Sequence, residues 1–136
     1  MKDFIINILK VFGVVFLRFR TVPRVWAIWL VAVNLGCLYF ITALEAQVVL
    51  VTTLIAVAAQ AALHGKMGFT RLLGVSHVMW VPMFGWMVTR AESIVADPAL
   101  AVWIGMLFAT NLISAIVDTT DVARYLRGDR TPHYAW

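Results

Sequence analysis

The sequence predicts an all-α integral membrane protein. Its expected form is a four-helix transmembrane bundle, with an amphipathic interfacial helix before it and a short cytoplasmic helix extension after it. Three observations predict this. Hydrophobic residues fill 62% of the 136 positions and charged residues only 13%, against about 45–50% and 25% in soluble domains. The apolar residues gather in runs of about twenty, the length that crosses about 30 Å of hydrocarbon, and not in the narrower stripes of a water-soluble helix. Lysines and arginines flank those runs, where they meet lipid headgroups, so the net charge of +4 marks no nucleic-acid partner. A chain of this length makes one domain, residues 1–136.

The first element, 3–20, places Asp3, Asn7, Lys10 and Arg18 at helical spacing, with Val14 filling the remaining step. A narrow polar stripe then runs along an apolar helix, as in a helix lying in the interface. Lys10 at mid-depth would cost about 2.5 to 3.5 kcal/mol on insertion scales, which weighs against a fifth crossing here. A cleaved leader is not expected, because Lys10 interrupts the run and no small-residue site follows Arg18, Phe19 and Arg20.

The first crossing, 25–41, is entered through Pro23, with Trp26 and Trp29 expected at its headgroup end. From 25 to 64 the chain is almost unbroken apolar. One helix of that length would be about 60 Å long, so the chain must turn back. Thr42 and Glu45 match a capping box, which starts the second crossing, 43–64. Ala58 and Ala62 lie one turn apart on it and invite close helix packing. Gly65 is the expected left-handed cap before a basic loop. The third crossing, 72–89, contains Pro82, which predicts a kink. Asp97 and Pro98 pair an N-cap with a first-turn proline and open the fourth, 98–117. The tail, 118–136, stays helical to about 127 and stops near Gly128 and Pro132.

Orientation follows from the cations. Ten of the eleven lysines and arginines fall before the first crossing, between the second and third, or after the fourth, while Arg90 alone lies on the other side. The positive-inside rule then puts both termini in the cytoplasm, in what the sequence suggests is a bacterial cytoplasmic membrane. Arg71, Arg90 and Glu92 sit at span ends, where snorkelling would explain them.

The chemistry-bearing residues are few. Measured from the cytoplasmic boundary, Gln60, His77 and Asn111 all come out roughly 6 to 9 Å deep. Asn34 is nearer mid-membrane, and Ser76 and Ser114 lie close to the layer. Such side chains must turn inward to bond one another or a ligand, because an unpaired polar group in hydrocarbon costs several kcal/mol. These four, Gln60, His77, Asn111 and Asn34, are the candidate ligand-binding residues.

Met79, Met83 and Met87 with His77 suit copper(I) in ligand type. The same spacing is ordinary for packing methionines, and no metal site is expected. His64 and His77 differ by about 8 Å in depth and do not suit a bis-histidine haem. His133 is expected to be solvated, and lone Cys37 supports neither a disulfide nor a metal site. Asp118, Asp121, Ala123 and Arg124 resemble a fragment of the metal motif of CDP-alcohol phosphotransferases. Val122 replaces that motif's glycine, Ala123 and Arg124 come two residues early and the later aspartates are missing, so no family is assigned.

With one titratable group in the layer and no paired carboxylate or activated nucleophile, no catalytic residues and no cofactor are identified, and an enzyme is not expected. The expected partners are the lipid bilayer and either further copies of the chain or other membrane subunits. A small-molecule-binding or permeation role around His77 is the alternative.

Overall fold

A computed structural model describes residues 2–131, and they are helical almost throughout, with no strand among them. The α-helices are α1 (Lys2–Gly13), α2 (Thr21–Leu35), α3 (Leu44–Met67), α4 (Trp80–Val88), α5 (Ala91–Val95) and α6 (Pro98–Leu126). Tighter or wider turns extend three of them: a π turn, Val14–Arg18, after α1; a 3-10 turn, Gly36–Leu38, after α2; and a 3-10 stretch, Arg71–Met79, before α4. The expected stop at Pro132 and the expected solvation of His133 lie outside the described residues.

Three segments are long and apolar enough to cross a membrane: Thr21–Leu38, Leu44–Met67 and Pro98–Leu126. The segment expected at 72–89 is not one regular helix. Its first half takes the 3-10 form over nine residues, where runs beyond three or four are uncommon. Pro82 is therefore the third residue of α4 and not a break inside a longer α-helix. In a first turn the missing N–H removes no helical bond, so the proline is accommodated by a change of helix type upstream.

Neighbouring elements run antiparallel, as the paired residues show. On α3, Gln60 meets His77 and Glu45 meets Arg90. On α6, Asp121 meets Arg71 and Phe108 meets Phe84, with ring centroids 4.7 Å apart. Trp26 on α2 meets Ser114, and Phe40, in the turn that follows α2, stacks on Trp103 at 5.2 Å. The shared core contains Val49, Trp80, Met83, Met87, Trp103 and Leu107. Two of the three methionines of the sequence stripe thus fill the core, while Met79 points outward.

Two local expectations are corrected. The Thr42 capping box does not form: Ala43 is the N-cap of α3 and no side chain caps it. Glu45 is drawn instead to Arg90, at 2.8 Å, because a buried carboxylate gains more from a guanidinium than from a backbone amide. The helix also continues through Gly65 to Met67 and ends at Gly68, whose positive φ of 69° goes with an extended ψ of −163°. Gly65 instead lies against Asn7 of α1. Ala58 and Ala62 face outward, and the alanines that pack inside are Ala46, Ala56 and Ala61.

The amino-terminal helix packs against α3. The middle of its predicted stripe faces that contact, with Asn7 bonded to His64 at 3.2 Å and Val14 buried beside Val11, while Asp3 and Arg18 at its ends are exposed. Phe4, Ile5, Leu9 and Leu17 are exposed on the other side.

Gly74 lets the 3-10 stretch touch α6. A Cβ there would lie 2.8 Å from Asp118 Cβ and 3.1 Å from its Cα. Gly74→Ala should therefore destabilise the protein by about 1 to 3 kcal/mol, as overpacking does. Gly85→Ala, with nothing within 4 Å of the new Cβ, should be neutral or stabilising by up to about 1 kcal/mol. Denaturation in mixed micelles compares the two, and equal effects would show that the close approach is not a constraint.

Candidate functional site

In a 3-10 helix, residues three apart eclipse one another. Arg71, Gly74, His77 and Trp80 therefore form one row, and the imidazole of His77 stacks on the Trp80 ring at 4.2 Å and 15°. On α6, Asp118 and Asp121 are also three apart and share a face. The two rows meet: Arg71 pairs with Asp121, Gly74 gives Asp118 room, and His77 Nδ1 lies 2.7 Å from Asp118 Oδ2.

Across the bundle, Gln60 Nε2 is 3.0 Å from His77 Nε2. An ionised Asp118 only accepts, so His77 Nδ1 carries the proton and Nε2 accepts from the Gln60 amide. Both ring nitrogens are thus engaged by the protein. An aspartate orienting a histidine is half of a general-base arrangement, but its reactive nitrogen faces an amide and not a nucleophile.

Arg71 carries a second carboxylate. Its Nε lies 2.8 Å from Asp129 Oδ2, and Arg124 stands 3.8 Å from the same oxygen. The snorkelling expected of Arg71 is replaced by ion pairing, with its side chain only 14% exposed. Arg90 is corrected in the same way: it binds Glu45 and lies over the Trp86 ring at 5.7 Å.

Asn111 and Asn34 make a separate group. Asn34 Nδ2 donates to Asn111 Oδ1 at 3.3 Å and to Leu30 O at 2.8 Å, while Asn111 Nδ2 donates to Leu107 O. They belong to a polar seam between α2 and α6, with Trp26 donating to Ser114, Trp29 to Thr110, and Trp103 to the carbonyl of Val33. Trp26 and Trp29, expected as headgroup anchors, serve as donors between helices because each indole N–H finds a hydroxyl one residue layer away. Asn34 Oδ1 is buried without a partner. Ser76 bonds its own segment, at Leu73 O.

The structure therefore joins Gln60 to His77 and Asn34 to Asn111 without joining the two pairs by a hydrogen bond. Sequence reasoning missed Asp118, which it placed in the tail as the end of the apolar run. A period of three from Arg71 to Trp80, facing two aspartates three apart, was the available signal. The layer accordingly contains an ionisable pair where one titratable group was expected. Among the described residues no three of His, Cys, Asp and Glu gather as a metal site. A shallow depression at α5 is lined by Ala91, Glu92, Val95 and Ala96, and none of the layer residues borders it.

Comparison of the chain with known protein families, with curated proteins and with solved structures finds no match.

Removing the imidazole tests how much the row contributes. His77→Leu should lower stability in detergent by about 0.6 to 2 kcal/mol, the range of hydrogen bonds between membrane helices. In that background Asp118→Leu should cost less than it does alone, since its partner is already gone. Equal costs in both backgrounds would show that the two side chains do not interact.

Proposed function

We propose that the chain is a non-catalytic, four-pass membrane protein that acts as a homo-oligomer or as a subunit of a larger membrane complex. The carrying observation is where its polar and apolar groups go. The layer side chains are engaged with one another inside the chain, while large apolar side chains such as Val51, Leu54, Val81, Val102 and Ile116 face out. In the most apolar 18-residue stretch of each of the three segments, only 17%, 28% and 39% of the residues are buried. So much exposed apolar surface calls for lipid or neighbouring helices.

Geometry supports 71–88 as the fourth pass. Nine 3-10 residues rising about 2.0 Å each and nine α residues rising about 1.5 Å each reach about 31 Å, enough for the hydrocarbon core. Its row of polar residues is turned to α6 and α3, as a crossing segment requires. The charge asymmetry then sets both ends of the chain on the cytoplasmic side, and α1 lies along that face with Asn7 against α3. Packing between copies or subunits would use the outer face of α3, where Ala58 and Ala62 permit close approach.

Two measurements test this. Reporters inserted at Gly68 and between Ala91 and Pro98 should lie on opposite sides of the membrane; the same side for both would remove the fourth pass. Native mass spectrometry from lipid nanodiscs should give an assembly larger than one chain, and a strictly monomeric protein would contradict the oligomeric reading.

A further inference from the structure

The Arg71 end gathers carboxylates around two guanidinium groups and one imidazole. Asp118, Asp121 and Asp129 supply carboxylates, and Arg71 is divided between Asp121 and Asp129. Arg124 reaches Asp129 only at 3.8 Å. Asp118 faces the imidazole. From α3 the imidazole meets Gln60, which carries no charge, and His64, the nearest titratable group in sequence on that helix, is turned to Asn7 of α1. A packing contact alone could be made by neutral amides, as Asn34 and Asn111 show. An ionisable pair between membrane helices instead marks a proton or ion function.

We propose that Gln60, His77 and Asp118 form a proton-binding site, with Nε2 of His77 as the atom that takes the proton. Hydronium gives its proton to the lone pair of Nε2 and leaves water, while Nδ1 keeps its own. The bond to Asp118 then joins opposite charges and strengthens. At Nε2 two donors now face each other, so the Gln60 amide must turn to present Oε1. Proton uptake is thereby coupled to α3 through Gln60 and to α6 through Asp118. The side chains of His77 and Asp118 are 16% and 24% exposed, so the pair is not sealed from its surroundings. The inference is independent of the oligomeric state.

The test is nitrogen-15 NMR of the full chain in phosphatidylcholine and phosphatidylglycerol nanodiscs. His64→Gln and His133→Gln leave His77 as the only imidazole. At alkaline pH the proton should sit on Nδ1. Acidification should then shift Nε2 to its protonated position with Nδ1–H retained, and the Gln60 side-chain amide should move with the same midpoint. Asp118→Asn should let both neutral tautomers appear. A neutral ring protonated at Nε2, a Gln60 amide that stays still, or no uptake across the pH range in which the fold persists would each overturn the proposal. So would an Asp118→Asn protein with an unchanged tautomer. A fold that persists in Asp118→Asn is verified by circular dichroism. Should it fail, the shift of the Gln60 amide in the parent protein decides alone.

Discussion

The period of a 3-10 helix, three residues per turn, is the constraint on which the rest of this structure depends. It aligns Arg71, Gly74, His77 and Trp80 in one row, so that a single face of the segment carries a guanidinium, a gap, an imidazole and an indole. An α-helix would rotate these positions progressively away from α6. The straight row matches Asp118 and Asp121, and Arg71 reaches on to Asp129 beyond the end of α6. The less favourable hydrogen bonding of nine 3-10 residues is offset by these contacts. The same row turns Gln60 of α3 onto His77, so three elements are tied at one end.

The other interhelical contacts obey the same requirement by different means. Between α2 and α6 the pairs are neutral, indole to hydroxyl and amide to amide, each modest in energy where water is excluded. At the opposite end, Glu45 and Arg90 join α3 to the end of α4, with the Glu45 side chain 4% exposed. Removing Arg90 would strand the buried Glu45 carboxylate, which costs more than the pair contributes. Polar pairs thus tie the helices together around an apolar core, and the many further apolar side chains that face outward set what the protein can live in. That outward apolar surface links the packing to the proposed role in a membrane assembly.

Much of the fold was legible because its signals are local and strong. The length of the apolar runs, the Asp97-Pro98 start and the alternation of cations with spans need no knowledge of tertiary contacts. Asp97 does cap α6, accepting from the amides of Ala99 and Leu100. What was not legible depends on partners distant in sequence. Thr42 and Glu45 have the spacing of a cap, yet Arg90, 45 residues further on, claims Glu45. Counting depth at the rise of an α-helix grouped Asn111 with Gln60 and His77, and it left Asp118 outside. The boundary was set where the apolar run ends, at Val117, whereas α6 continues to Leu126 and brings Asp118 level with His77.

The docking of the 3-10 stretch on α6 is tested most directly by exchanging the charges that join them. Arg71→Asp and Asp121→Arg are made singly and together, and each protein is unfolded reversibly in bicelles. Each single change places like charges face to face and should destabilise, whereas the double exchange should recover part of both losses because the ion pair is restored in reverse. Losses that simply add would contradict the docking of the stretch on α6 through this pair.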